Sequence, residues 1–313
     1  METELTSKFL GGMVGSAVGD AIGELAFYYP QRDLLSSEME RLSQVRYTDD
    51  TAMAIGLAES LVKKRCIDQQ HLGKTFSDNF DREPWRGYAS GPPTIFSLVK
   101  RTGTPYSEAA RGLFRGGGSF GNGAAMRIVP VGLFFHQSHG LYNQACDSAQ
   151  VTHAHPVGMD GAAIQALAIG QAVRLDPRKG LPCEPFIRDL IDAARTDEIK
   201  EKMSLVKQMI LQDVPPDTAA RRLGRSVAVH ESMPFAVFSF LLHAQSFEEC
   251  IFCAIMNGGD RDTLGAMAGA ISGAYLGIDA IPLAWREKLE NLAYIEHLAS
   301  TLAKAFLEQT GDR

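Results

Sequence analysis

The chain has no uncharged apolar run long enough to span a bilayer, and its start, Met1-Glu2-Thr3-Glu4, does not follow the basic, apolar and small-residue order of a secretory signal. Its five cysteines, Cys66, Cys146, Cys183, Cys250 and Cys253, are odd in number and scattered, which excludes a disulfide framework. Cys250 and Cys253 have C-x-x-C spacing, but no second pair accompanies them and their apolar helical run suits buried thiols. An excess of positive charge is also missing. With a formal net charge of −6, neither a nucleic-acid groove nor an anionic membrane face is expected. These absences point to a cytoplasmic protein. Alternating strand patterns are lacking too, and nearly every periodic segment repeats at about 3.6 residues, so the expected class is all-α.

What the chain does have is core. At 313 residues and 45% hydrophobic content it can bury a large one, and one domain over 1–313 is expected. The stretch 174–225 changes character, with Asp176-Pro177-Arg178-Lys179-Gly180 and Pro215-Pro216-Asp217-Thr218 punctuating charged helices. It reads as a peripheral helical excursion without chemistry. Gly11, Gly15, Gly19 and Gly23 recur four apart, as do Gly265, Gly269, Gly273 and Gly277. That much glycine lowers helix propensity, so each face must gain something from close approach of another backbone. Packing of the two helices together would bring the chain's beginning against its end.

Two helix starts carry paired acids: Thr48-Asp49-Asp50-Thr51 and Asp260-Arg261-Asp262-Thr263. Either pair alone is ordinary capping, because acids satisfy orphan N–H groups and suit the positive helix end. Together they would gather four carboxylates and two threonine hydroxyls. Such a cluster repels itself unless protons or hard cations enter, and oxygen-only donors select magnesium-like ions. Two divalent ions would balance four carboxylates, which gives a two-metal hydrolytic site.

Arg115-Gly116-Gly117-Gly118-Ser119-Phe120-Gly121-Asn122-Gly123 precedes an apolar helix-like run and exposes N–H groups able to cradle a phosphate. It formally contains G-x-G-x-x-G, yet helix rather than strand precedes it and no acid stands at the ribose spacing, which argues against a Rossmann unit. Thr152-His153-Ala154-His155 has the look of a hydrogen-bonding loop more than a metal site. Glu231 reads as a structural acid at a helix start. The loop Trp85 to Pro93, rich in turn formers and aromatics, suits a pocket wall.

These motifs resemble the ADP-ribosylglycohydrolases, which include the dinitrogenase-reductase-activating glycohydrolases and the ADP-ribosyl-acceptor hydrolases. The resemblance rests on Gly19-Asp20-Ala21-Ile22-Gly23, Thr48-Asp49-Asp50-Thr51, Gly121-Asn122-Gly123-Ala124-Ala125-Met126-Arg127, Thr152-His153 and Gly258-Gly259-Asp260-Arg261-Asp262-Thr263, in that order. Tyr47 to Ala54 and Arg86-Gly87-Tyr88 look most like the branch that removes ADP-ribose from serine and degrades its polymers. The resemblance implies an all-α orthogonal bundle with two Mg2+ ions on Thr48, Asp49, Asp50, Asp260, Asp262 and Thr263. It further implies a diphosphate on Gly118, Ser119, Phe120, Gly121 and Asn122, with Gly87, Tyr88, Gly91 and His153 lining the ribose and phosphate pocket. The expected partner is an ADP-ribosylated protein or an ADP-ribose-containing small molecule, met by a monomer.

One departure stands out. Where the family usually carries its acid/base glutamate the chain has Phe27, and Glu24 is the nearest substitute, three residues earlier; that displacement is expected to turn the carboxylate elsewhere on a helix. Glu24 and Asp50 are the candidate catalytic carboxylates. Beside the hydrolase stand a non-catalytic ADP-ribose binder and, from the residues alone, a two-metal phosphoesterase.

Overall fold

Helix Glu2–Tyr28 runs antiparallel along helix Arg261–Leu276, and glycine is what lets them meet. A Cβ on Gly11 would lie 2.2 Å from the carbonyl oxygen of Gly273, one on Gly15 2.6 Å from that of Gly269, and one on Gly23 2.3 Å from that of Arg261. The two faces are therefore in backbone contact along four turns. The helix loses propensity at each glycine and regains it as packing that no larger residue permits.

The computed structural model describes residues 2–311, and among these the regular structure is helical, with two isolated bridges, Val45 to Leu289 and Gly121 to Ala228. The all-α expectation holds. Around the central pair pack Asp49–Lys64, Pro156–Arg174, Val229–Leu242, Phe247–Met256 and the last helix, Leu292–Gly311. Phe9, Ile22, Phe76, Phe96, Phe235, Phe238 and Tyr275 are among the fully buried side chains of the core. Each such side chain contributes roughly 1.5–3 kcal/mol by leaving water. Among the described residues no helix is long and apolar enough to cross a membrane.

The stretch 174–225 forms the helices Cys183–Ala193, Asp197–Leu211 and Pro216–Leu223. Their apolar faces join the same core: Phe186 meets Phe240 at 5.6 Å, and Ile199, Met203 and Val206 are buried. A buried acid in helix Pro156–Arg174 ties the segment down. Asp160 accepts from the backbone N–H groups of Arg195 and Thr196, at 3.0 and 2.7 Å, and from the Thr196 hydroxyl at 2.6 Å.

The first helix continues through Phe27 to Tyr28, so Asp20 and Glu24 both lie inside it. The apolar run after Gly123 is two short helices, Gly123–Met126 and Val129–Phe134, because Pro130 starts a new first turn.

Candidate active site

The glycine contact delivers two helix starts to one place. Thr48 caps helix Asp49–Lys64, its hydroxyl oxygen accepting from the Asp50 N–H at 3.3 Å, which leaves both acids of the first turn free for other work. Asp260 makes no side-chain cap on helix Arg261–Leu276 and instead accepts from Asn122 Nδ2 at 2.7 Å. Thr263 Oγ1 donates to Asp50 Oδ2 at 3.3 Å across the junction. Capping does not account for these acids.

Asp49, Asp50, Asp260, Asp262 and Thr263 line one cavity of about 500 Å³, together with Gly87, Gly91, Ser119, Phe120, Gly121, Asn122 and His153. A second cavity, of about 570 Å³, shares Asp49, Gly87 and Asp262 with the first and adds Thr48, Glu24, Arg46 and Trp85. Of the residues singled out in the sequence, two stand apart from both cavity linings: Tyr88 sets its ring edge-on to Phe80 at 5.1 Å, and Gly118 fits against the backbone of Ala154 and His155. Glu231 accepts from the Ser226 N–H at 3.3 Å, as a structural acid does.

The loop that brings Gly87 to the cluster is anchored by Arg86. Its guanidinium pairs with Glu290 and with Glu83 at 3.0 Å, donates to the Tyr47 carbonyl at 3.1 Å and lies 4.1 Å over the Tyr47 ring. The glycine-rich loop is clamped from the other side. Asn122 N–H donates to Val227 O at 2.8 Å, and Val229 N–H donates to Phe120 O at 3.1 Å. Among the described residues the N–H groups of Ser119 and Phe120 make no backbone hydrogen bond, so they remain available to an anionic ligand.

Below the cluster sits an acid the candidate set omitted. Asp20 is fully buried and accepts from the N–H and hydroxyl of both Thr48 and Thr51, at 2.6 to 3.1 Å. It holds the acidic turn from beneath. The sequence hints only that this acid is buried, since a carboxylate inside a glycine-faced apolar helix needs partners, and does not say which residues those are.

Burial dominates the electrostatics, and the neighbouring carboxylates add to it. Asp49 is pushed up to about 7, by burial and then by Asp20, and Asp262 to about 8, by burial and then by Asp260. Asp50 is raised well above the usual range by burial and then by Asp262, whereas its hydroxyl-bonded neighbour Asp20 reaches about 6. Full ionisation of the cluster is therefore disfavoured unless a cation enters it.

The donor set fits a hard dication. It is all oxygen, and Asp50 Oδ1 and Asp262 Oδ1 are both buried without a hydrogen-bond partner among the described residues. No three His, Cys, Asp or Glu side chains among those residues form a ready-made cage, so holding an ion requires carboxylate rotation or the threonine oxygens.

Glu24 is better placed than its sequence position promises. Three residues are close to one helical turn, so the shift from position 27 keeps the carboxylate on the side of the helix that faces Asp262, with which it shares the second cavity. Partial burial raises its pKa. Phe27 is 46% exposed.

The model of the ADP-ribosylglycohydrolase family matches residues 1–311. The chain belongs to that family. It is 30% identical to the human ADP-ribosylhydrolase ARH3, over 96% of this chain and 94% of that protein, and 32% identical to the zebrafish one, over 95% and 90%. A Rhodospirillum rubrum ADP-ribosyl-[dinitrogen reductase] glycohydrolase is 28% identical, over 90% of each chain. A solved structure titled ADP-ribosylglycohydrolase-related protein complex superposes with a TM-score of 0.71 at 22% identity, covering 97% of this chain and 99% of the other. The family assignment makes the protein a hydrolase of glycosyl bonds, and its relatives of the ARH3 type agree with the branch read from Tyr47 to Ala54.

Proposed function

We propose that the protein is a magnesium-dependent hydrolase that cleaves the glycosidic bond between ADP-ribose and an acceptor, which is a protein side chain, a polymer or a small molecule. The observation that carries this reading is the meeting of two cavities on one carboxylate cluster. The first has the size small-molecule sites take and offers free N–H groups at Ser119 and Phe120 to a diphosphate. The second would receive the acceptor, on the side where Glu24 stands.

Two magnesium ions held by Thr48, Asp49, Asp50, Asp260, Asp262 and Thr263 would balance the buried charge and polarise ribose and water oxygens. The chain's own groups then divide the proton work. Glu24, partly buried on the side of Asp262 with its pKa raised by that burial, would give a proton to the acceptor's leaving atom as the glycosidic bond breaks through an oxocarbenium-like state. Asp50, with Oδ1 unpartnered, takes the proton of the attacking water. Gly87, Gly91 and His153 hold the ribose and phosphates in register, so that the anomeric carbon stays aligned. A cytoplasmic monomer without nucleic-acid contacts completes the proposal.

The test is a panel of serine-, arginine-, polymer- and acetyl-linked ADP-ribose, incubated with magnesium and, in parallel, with EDTA. Release of intact ADP-ribose that EDTA abolishes is the expected result. Binding of ADP-ribose without turnover of any linkage would favour the non-catalytic reading, to which Phe27 lends support, and AMP as product would mean a phosphoesterase.

A further inference from the structure

We propose that Arg127 and Thr152 form a relay that fixes the tautomer of His153, so that its ring presents Nε2–H to an oxygen of the ligand's diphosphate. The ligand half of this inference rests on the ADP-ribose reading above; the relay itself rests on three hydrogen bonds. Arg127 is fully buried, with Nη1 donating to the Gly123 carbonyl at 2.9 Å and Nη2 to Thr152 Oγ1 at 2.7 Å. A guanidinium only donates, so the threonine oxygen is the acceptor there. Thr152 Oγ1 lies 2.8 Å from His153 Nδ1.

The direction of that last bond follows by elimination. Thr152 is 1% exposed, so its hydroxyl proton cannot turn to solvent, and His153 Nδ1 is the one acceptor in its reach among the described residues. Leaving a buried O–H unpaired is costly, which disfavours the alternative in which Nδ1 donates. Nδ1 therefore accepts and the ring proton resides on Nε2. Burial, with Arg127 adding to it, pushes the imidazole pKa down to about 3, so the ring is neutral.

The other edge of the ring faces the glycine turn. A Cβ on Gly123 would lie 2.8 Å from His153 Cε1 and 3.0 Å from Nε2, and one on Gly121 3.5 Å from Nε2. Nε2 has no protein hydrogen bond among the described residues, and the ring lines the cavity. Arg127 thus grips both sides of the histidine, the turn ahead of it and the threonine behind. An Nε2–H there attracts a phosphate oxygen, whereas the opposite tautomer would set a lone pair against it. Arg127 and Thr152 are positioning residues.

The test reads the tautomer directly, from side-chain nitrogen shifts of His153 in 15N-labelled protein, assigned by their loss in His153→Gln. Wild type is expected to show protonated Nε2 and bare Nδ1. Thr152→Val is expected to mix the tautomers and bind ADP-ribose about tenfold more weakly with adenosine binding unchanged, and Thr152→Ser to restore both readouts. Protonated Nδ1 in wild type, or wild-type ADP-ribose affinity in Thr152→Val, overturns the relay. The wild-type spectrum decides even if Thr152→Val does not fold. Failure of wild type to bind ADP-ribose would refute the ligand assignment, and the spectrum would still judge the relay.

Discussion

Gly19 and Gly265 meet backbone to backbone: a Cβ on Gly19 would fall 2.0 Å from the Gly265 carbonyl oxygen, and one on Gly265 2.1 Å from that of Gly19. This contact fixes how deeply the two helices nest, and hence how near Asp20 lies to the turn carrying Asp49 and Asp50. Gly19→Ala should force the helices apart and cost about 3 kcal/mol, the upper end of core overpacking. Gly112→Ala is the control, since nothing lies within 4 Å of its Cβ position. It should be neutral or gain up to about 1 kcal/mol from helix propensity. Urea unfolding of both variants measures this; equal stability would mean the glycine face is not under steric demand.

Asp20 takes four donors from Thr48 and Thr51. Asp20→Asn keeps the shape but turns an amide N–H₂ toward groups that themselves donate. The expected loss is about 2–3 kcal/mol, with weaker magnesium binding because the turn bearing Asp49 and Asp50 loosens. Thermal melts with and without magnesium report both quantities. A variant with wild-type melting and wild-type magnesium response would show that Asp20 does not organise the turn.

The helices and the paired acids were legible because each leaves a local mark: a period near 3.6, a cap residue, a glycine every fourth position. Even the helix pairing could be read, since only backbone contact repays that many glycines. The roles of Asp20, Arg127 and Thr152 were not. All three stood inside quoted motifs, but a hydrogen-bond partner 25 or 31 residues away, as in Arg127 to Thr152 and Asp20 to Thr51, leaves no spacing to recognise. The nearness of Glu24 to Asp262 is hidden in the sequence for a related reason. A three-residue shift looks large along a sequence and small around a helix.

The proposed metal site implies that Asp50 lowers the stability of the metal-free protein. Its carboxyl is buried beside four other acids, Asp262, Asp20, Asp49 and Asp260, with Oδ1 unpartnered, so ionising it without a cation is costly. Asp50→Asn should raise the melting temperature of the EDTA-treated protein by a few degrees, about 1 kcal/mol, and remove most of the stabilisation that magnesium confers. Differential scanning calorimetry across a magnesium titration tests both halves. Undiminished magnesium stabilisation in the variant would place the ions elsewhere.

Glu24 and Phe27 can be tested against each other. Glu24→Gln should lower kcat by 10²-fold or more, roughly the range for loss of a general acid, with ADP-ribose affinity within a factor of about three. Phe27→Glu, in an otherwise wild-type chain, should leave affinity similar. If Phe27→Glu also rescues Glu24→Gln, then either position serves the same proton transfer. Full activity in Glu24→Gln would remove Glu24 from the chemistry.

His136 supplies a pH dependence remote from the cluster. It is buried against Phe9 and Phe306, has Nδ1 2.7 Å from the Leu133 carbonyl oxygen, and is pushed down to about 4 by burial, with Arg174 and Lys8 as the nearby cations acting in the same direction. The folded-state pKa lies below the unfolded one, so between about 6.5 and 4 the unfolded chain binds the extra proton. Stability from this residue is complete above that window and is lost as pH falls through it, by on the order of 3 kcal/mol. The raised carboxyls Asp20, Asp49 and Asp262 act with opposite sign, since the folded state holds their protons longer. They are common to wild type and His136→Asn, which keeps a donor for Leu133 but cannot take a proton. The difference in unfolding free energy between the two, measured in urea from pH 7.5 to 4.5, should therefore shift in favour of the variant as pH falls. A difference that stays flat would mean that His136 is charged, or open to solvent, in the folded protein.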